Sequence, residues 1–198
     1  MKIVASSLDR MKGSLLLLCL LVTGMIAAPA TATSYISLDE FVSTSFAESP
    51  SQGMLWLKAP EQLMAKQILG HRYAGLRLRY WQAGSRTAWV LDEIGKEHPI
   101  TMGIVVEDGQ LSRVAILEYR ESRGGEVRHP FFTEQFVGAV MAPDMALSKP
   151  IDGISGATMS VRAVTNVSRF ALFLHGQVQQ QLTTLQASTA EPMHAAIH

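Results

Sequence analysis

Residues 100–119 read ITMGIVVEDGQLSRVAILEY, and this stretch decides the fold. Two runs rich in β-branched side chains flank Asp108-Gly109, and glycine accepts the positive φ that a tight hairpin turn needs. Alternation along the second run places Val114 and Ile116 on one side of a sheet and Ala115 on the other. The stretch therefore predicts a β-hairpin around which a small, mainly antiparallel sheet is built.

Two short helices are predicted before the hairpin. Ser37-Leu38-Asp39-Glu40 has the S-x-x-E form of a capping box, which opens a helix through about Thr44. Pro60 is expected to be the first residue of a second helix, and Gly70 lies just past its end. Residues 48–53 are polar and predict a loop between the two helices.

Strands and a long helix complete the predicted architecture. Alternation from Gly75 and again over residues 87–92 predicts two more strands, and residues 120–129 form a polar stretch after the hairpin. The last element is an amphipathic helix, whose apolar residues recur at three- and four-residue steps: Val161, Val164, Val167, Ala171, Leu174, Val178, Leu182 and Leu185. The fold class is α+β, with helices packed on the sheet and a long C-terminal helix.

The overall charge argues against polyanionic partners. The chain has 17 basic and 17 acidic side chains, which give a formal net charge of zero. Binding along a phosphate backbone needs a concentrated positive surface. Nucleic acid is therefore not expected among the partners.

The N-terminus has the layout of a secretory signal peptide. Basic residues up to Lys12 precede an apolar run at residues 15–28, and Ala30-Thr31-Ala32 supplies an A-x-A cleavage site. The run is shorter than the ~20 apolar residues that a bilayer-spanning helix needs, which favours cleavage over an uncleaved anchor. We expect residues 1–32 to be removed and the protein to be periplasmic or membrane-associated.

Cysteine and histidine usage limits the chemistry. Cys19 is the only cysteine and lies inside the apolar run, where lipidation is disfavoured. A mature chain without cysteine has no disulfide, iron–sulfur ligand or thiolate zinc site. The chain has six histidines: His71, His98, His129, His175, His194 and His198. Their spacing matches no metal-binding motif, so no metal ligand is predicted. A redox centre would have to be organic or held by other ligands.

The segment directly before the long helix is the candidate site. It reads Asp152-Gly153-Ile154-Ser155-Gly156-Ala157-Thr158-Met159-Ser160. The first N–H groups of a helix are unpaired and its dipole favours an anion, so a phosphate is well placed there. Gly156 allows close approach, Ala157 keeps the approach open, and Thr158 offers an oxygen for a phosphoester, with Ser160 as a second acceptor. Ordinary helix capping by Asp152 or Ser155 remains the alternative.

The motif carries a resemblance. Asp152-x-x-Ser155-Gly156-Ala157-Thr158 matches D-x-x-[ST]-G-A-T, the signature of the FMN-binding domain family, which is similar to the flavin-carrying C subunit of the sodium-pumping NADH:quinone oxidoreductase and the G subunit of the Rnf complex. The resemblance implies FMN joined by a phosphoester to Thr158, placed there by a flavin transferase that uses FAD. It makes Asp152 part of what the transferase recognises. It implies a cofactor-binding set of Thr158, Asp152, Ser155, Gly156, Ala157, Met159 and Ser160.

The similarity covers roughly residues 95–180 and leaves the rest of the chain less defined. Relatives often carry Glu-Thr-Pro-Gly in the loop after the hairpin, whereas this chain has Glu121-Ser122-Arg123-Gly124-Gly125. The predicted organisation is a signal peptide at residues 1–32, a region of helices and strands at 33–94, an FMN-binding domain at 95–180 and a C-terminal tail at 181–198.

These observations give one leading hypothesis and two alternatives. The leading hypothesis is an exported flavoprotein with covalent FMN that transfers electrons to or from a membrane or periplasmic redox partner. No catalytic acid or base is required, because the flavin supplies the redox chemistry. The first alternative is a non-catalytic periplasmic binding or assembly module that holds a phosphate-bearing ligand non-covalently. The second is a flavoenzyme that reduces a small acceptor.

Overall fold

The computed structural model describes residues 33–190, and the predicted signal peptide at residues 1–32 lies outside them. The elements in chain order are β1 (Thr33–Ser34), α1 (Leu38–Ser45), β2 (Ser51–Trp56), α2 (Ala59–Leu69), β3 (Arg77–Ala83), β4 (Arg86–Ile94), β5 (Pro99–Glu107), β6 (Gln110–Tyr119), α3 (Pro130–Thr133) and α4 (Thr158–Ala190). Two 3-10 turns, Gly125–Arg128 and Glu134–Phe136, flank α3.

The strands form one antiparallel sheet in the order β1-β6-β5-β4-β3-β2. The predicted hairpin joins β5 to β6, with φ values of 50° at Asp108 and 77° at Gly109. Positive φ at both central residues matches the right-handed twist of the two strands. The α+β prediction, with a mainly antiparallel sheet and a long C-terminal helix, is confirmed.

The two faces of the sheet carry separate cores. On the face that we call the helical face, Trp89 and Ile116 are buried together with Leu174 of α4. On the other, which we call the open face, Ala115 is buried beneath Phe41 of α1. The alternation read from the second strand of the hairpin therefore correctly placed Ile116 and Ala115 on opposite faces.

The predicted loop at residues 48–53 is wrong, because β2 begins at Ser51. This strand pairs with β3 at the edge of the sheet, from Ser51 opposite Gln82 to Trp56 opposite Arg77. Its only buried residue is Leu55. An edge strand with one buried side chain has little hydrophobic alternation, and its partner lies about 20 to 30 residues away.

The predicted helix boundaries are close to those observed. The Ser37 hydroxyl accepts the Glu40 N–H at 3.1 Å, as the capping box requires. The second helix begins at Ala59, one residue before Pro60, and Gly70 ends it with a φ of 85°. The last helix continues through residues 181–190, which the sequence assigned to a tail. Within residues 33–190, no helix has the length and apolar character needed to cross a membrane.

Candidate functional site

The motif residues form a turn that leads into α4. Gly156 has a φ of 81°, and the Ala157 N–H donates to the Ile154 carbonyl at 3.0 Å. The first hydrogen bond into the helix runs from Val161 N–H to the Ala157 carbonyl at 2.9 Å. The three intervening N–H groups, those of residues 158–160, have no hydrogen-bond acceptor in the described part of the chain. They form an anion-binding end with the positive pole of the helix dipole behind it.

Side-chain capping does not use these donors. Asp152 and Ser155 are both exposed, and neither side chain accepts a hydrogen bond from the start of α4 within residues 33–190. The backbone N–H of Asp152 donates to the Gln135 side chain, at 2.7 Å from Oε1. Asp152 and Ser155 therefore do not cap α4 in the part of the chain that the structure describes.

Two hydroxyls of the first helical turn have different environments. Thr158 is exposed and its hydroxyl makes no hydrogen bond to the described residues. Ser160 is 4% exposed, and its Oγ lies 2.8 Å from the Tyr119 hydroxyl. Tyr119 donates its proton to the Arg123 carbonyl at 2.5 Å, so it accepts from Ser160. Thr158 is thus the accessible nucleophilic oxygen, and Ser160 fixes the helix start to the end of β6.

The Tyr119 phenol stays protonated in this position. Burial raises its pKa above the ordinary value, against a smaller lowering by the hydrogen bond with Ser160, and the nearby Glu121 and Glu126 carboxylates raise it further. A protonated phenol is the donor that the Arg123 carbonyl requires. The contact therefore persists at neutral pH.

Glu121 joins the loop after β6 to the β4–β5 connection. Its Oε1 accepts the N–H groups of Lys96, Glu97 and His98 at 2.5, 2.7 and 2.9 Å. Burial raises the pKa of this carboxyl, but the three backbone donors outweigh it and hold the pKa below its ordinary value. A Cβ at Gly95 would lie 2.8 Å from the same oxygen. Glu121 is therefore an ionised crosslink that sets the position of residues 96–98.

The two loops and the helix start enclose a groove of about 510 Å³, lined by residues 96–97, 121–123 and 156–160. This volume is typical of small-molecule pockets, which span about 300–1,000 Å³. Gly124, with a φ of 84°, lets the loop approach closely, because a Cβ there would lie 3.0 Å from Ser160 Oγ and 3.2 Å from the Ala157 Cβ. The departure from Glu-Thr-Pro-Gly is confined to Ser122 and Arg123, since Gly124 keeps the position that the close approach needs.

The sequence predicted the motif side of the groove but not the residues on the opposite side. Thr158, Gly156, Ala157, Met159 and Ser160 line the groove, whereas Asp152 and Ser155 lie outside its lining. Lys96 and Glu97 were not expected at the site. The Glu121 carboxylate binds their backbone N–H groups, and no local signal in residues 95–98 indicates this contact. Within residues 33–190, no three histidine or carboxylate side chains come together as a metal site.

Comparisons with known proteins support the family resemblance and the fold. Residues 95–172 match the model of the FMN-binding domain family, so the predicted resemblance is confirmed. The fold is similar to the crystal structure of Shewanella oneidensis NqrC, with a TM-score of 0.53 and 17% sequence identity. The match covers 73% of this chain and 88% of that one. No curated protein matches the sequence.

Proposed function

We propose that this chain, whose residues 95–172 match the FMN-binding domain family, is an exported electron-transfer flavoprotein that carries its FMN covalently on Thr158. The observation that carries the proposal is the exposed Thr158 hydroxyl beside three backbone N–H groups without acceptors. When bound, FMN supplies one- and two-electron redox chemistry. The chain's part is to hold and orient it.

The residues of the groove fit a flavin phosphate. The N–H groups of residues 158–160 are positioned for phosphate oxygens, and the helix dipole adds favourable electrostatics. Lys96 and Arg123 contribute cationic side chains to the groove lining, which also contains Glu121 and Glu97, the latter paired with Lys96 at 3.1 Å. Gly156 and Ala157 leave the approach to Thr158 free of bulky side chains. Met159 is 44% exposed and offers an apolar surface next to the attachment point.

Covalent attachment of FMN requires a second protein, a flavin transferase, which acts once during maturation. A flavin transferase would move the FMN phosphoryl group from FAD to the Thr158 oxygen, which forms a phosphoester and releases AMP and the hydroxyl proton. Asp152, exposed at the outer end of the motif, is positioned for recognition by that transferase. A covalent bond suits a protein outside the cytoplasm, where a dissociated flavin would be lost.

The location and the redox partner belong to the same proposal. The signal-peptide pattern of residues 1–32 supports export, either to the periplasm or to the membrane surface. The electron donor or acceptor would then be a membrane or periplasmic redox protein. N-terminal sequencing of protein recovered from the periplasm should begin at Thr33, and recovery of the full-length chain in the cytoplasm would contradict export.

The attachment site is tested with two neighbouring hydroxyls. Each variant is coexpressed with a flavin transferase, and the denatured protein is examined for flavin fluorescence and for the mass of esterified FMN. Thr158→Ala should abolish both signals, whereas Ser160→Ala should keep them because Ser160 is turned to Tyr119. A covalent flavin on the Thr158→Ala protein would disprove the assignment.

One alternative rests on the same donors. Three N–H groups at a helix start also suit a phosphate-bearing ligand that is never esterified, as in a non-catalytic binding or assembly module. Acid precipitation separates the two cases. A non-covalent ligand is released into the supernatant, and an esterified flavin stays with the protein.

A further inference from the structure

A part of the open face is left without a covering layer. We call it the uncovered patch; its groove measures about 550 Å³ and is lined by Leu38, Met54, Arg77, Arg79, Trp81 and Val90. The helix α1 covers the neighbouring part of the same face, where Phe41 lies over Gly103 of β5. Over β2 and β3, no helix within residues 33–190 covers the open face, and Met54, Arg77 and Arg79 are exposed there.

The uncovered patch exposes large apolar side chains. Leu38 and Met54 are each 41% exposed. Trp56 is not in the groove lining, but it pairs with Arg77 across β2 and β3 and is 56% exposed, so we count it with the uncovered patch. Contiguous apolar groups of this kind on a protein surface mark interaction sites. Tryptophan, methionine and arginine are also the side chains enriched at the centres of protein interfaces.

The charges on the uncovered patch are unbalanced. Arg77 and Arg79 are exposed, and neither makes an ion pair within residues 33–190. Asp92, at the border on β4, accepts the Thr101 hydroxyl at 2.5 Å. Asp39 does not line the patch; it lines the neighbouring hollow, which shares Leu38 and Trp81 with it. A complementary partner therefore brings carboxylates to the two arginines and apolar groups to the tryptophan and methionine.

The dimensions of the uncovered patch suit one helix. Neighbouring strands lie about 4.8 Å apart, so the three strands β2 to β4 span about 10 Å. A helix with its side chains is about 10 Å wide. An added helix would lie beside α1 and complete the layer that α1 begins.

Three other occupants fit the charges less well. In a twofold dimer through this face, Arg77 and Arg79 would meet the same arginines of the second copy, which is repulsive. An anionic membrane gains only about 1 kcal/mol per arginine, and stable electrostatic binding uses clusters of four or more basic residues. The chain's own residues 1–32 carry Lys2, Arg10 and Lys12 against Asp9, which is the wrong sign.

We infer that the uncovered patch docks an amphipathic helix of a partner protein, whose apolar stripe packs on Met54 and Trp56 and whose bordering carboxylates pair with Arg77 and Arg79. This surface is separate from the groove at Thr158. Docking therefore stands or falls independently of flavin attachment.

The probe is a pair of synthetic amphipathic helices with the same leucine stripe, one bordered by glutamates and the other by lysines. Binding to the whole protein is followed by the emission of its tryptophans, because Trp56 is exposed and moves into an apolar contact. The glutamate peptide should bind with a blue shift, and about tenfold more tightly than the lysine peptide. The double variant Arg77→Glu/Arg79→Glu should reverse this preference.

Controls separate docking from other causes. Arg72→Glu changes an exposed arginine away from the patch and should keep the wild-type preference. Thr158→Ala, which lacks the attachment point, should bind the glutamate peptide as the wild type does. The inference is overturned if neither peptide binds, if both bind equally, or if the charge reversal has no effect. It is also overturned if sedimentation shows a dimer that Trp56→Glu dissociates, or if anionic vesicles bind the protein more tightly than the peptide.

Discussion

The two faces of the sheet are built for different tasks. On the helical face, α2 and α4 cover the strands, and Trp89, Phe170 and Leu174 are at most 1% exposed. On the open face, the short α1 covers only part of the strands and leaves Arg77 and Trp56 in contact with water. The two proposed binding surfaces differ accordingly: the groove lies at the rim of the helical face, where α4 begins, and the uncovered patch lies on the open face.

The difference also predicts where the stability resides. Burial of apolar surface is the main favourable term in folding, and the larger of the two cores lies between the sheet and α4. Substitutions beneath α4 should therefore unfold the protein more readily than substitutions on the uncovered patch. Variants in the two regions test this division.

The strongest test removes a side chain from beneath α4. Leu174 is fully buried, so Leu174→Ala should lower the free energy of unfolding by about 2–5 kcal/mol through lost burial and a cavity. Met54→Ala on the uncovered patch should change it by only about 0.5 kcal/mol. Urea unfolding of the two variants measures both values. Equal losses would show that stability is not divided between the faces as described.

A second test concerns the covered part of the open face. A Cβ at Gly103 would lie 2.5 Å from the Phe41 ring, so Gly103→Ala should destabilise the protein by about 1–3 kcal/mol by displacing α1. Gly176→Ala is the control, because no atom lies within 4 Å of its added Cβ. It should stabilise α4 by up to about 1 kcal/mol. If Gly103→Ala is neutral in thermal unfolding, α1 is not seated tightly.

A third test loosens the rim of the helical face. Tyr119→Phe removes the hydroxyl that joins Ser160 to the Arg123 carbonyl, which should cost about 1–2 kcal/mol for two lost hydrogen bonds. Amide exchange at Val161, the first hydrogen-bonded N–H of α4, and at the residues that follow it should accelerate. Tyr35→Phe, whose hydroxyl has only a 3.4 Å contact with Arg128, should be close to neutral. Unchanged exchange in the Tyr119 variant would show that the bond does not hold the helix start.

The smallest effects are pH-dependent and have opposite signs. Burial lowers the pKa of His175 below 6.5, and Asp108 opposes this only partly. Trp89 Nε1 donates to the Thr87 hydroxyl at 3.0 Å, and His175 Nδ1 lies 2.9 Å from the same oxygen. The lowered pKa keeps the imidazole neutral in the folded state at neutral pH. The unfolded chain binds a proton at about pH 6.5. The contribution of His175 is therefore complete above pH 6.5 and is lost as the pH falls below it.

His71 behaves in the reverse way. Its hydrogen bonds to Glu93 and to the Arg72 carbonyl raise its pKa above 6.5, although burial lowers it slightly. Its stabilisation is complete below pH 6.5 and is lost as the pH rises through the folded pKa. Unfolding free energies measured across this range should lose their slope below pH 6.5 in His175→Gln and above it in His71→Gln. A slope that disappears on the wrong side of pH 6.5 would contradict the assignments.

Local patterns explain which elements were predictable. The hairpin at Asp108-Gly109, the cap at Ser37 and the stripe of α4 depend on residues within a few positions of one another. The edge strand β2 was missed because only Leu55 is buried and its partner is a distant strand. The motif was recognised from residues 152–158, whereas its opposite wall at Lys96 and Glu97 was not.

The amino-acid sequence was enough to predict the fold class, the order of the hairpin, motif and long helix, and Thr158 as the expected attachment point. Three further features depend on how distant elements pack: Ser160 is turned to Tyr119, Glu121 binds the backbone of residues 96–98 beside the groove, and Arg77 lies on an uncovered face. The difference is one of distance along the chain. Turns, caps and periodicity are set by neighbouring residues, while burial and hydrogen-bond partners depend on which distant strands and helices pack together.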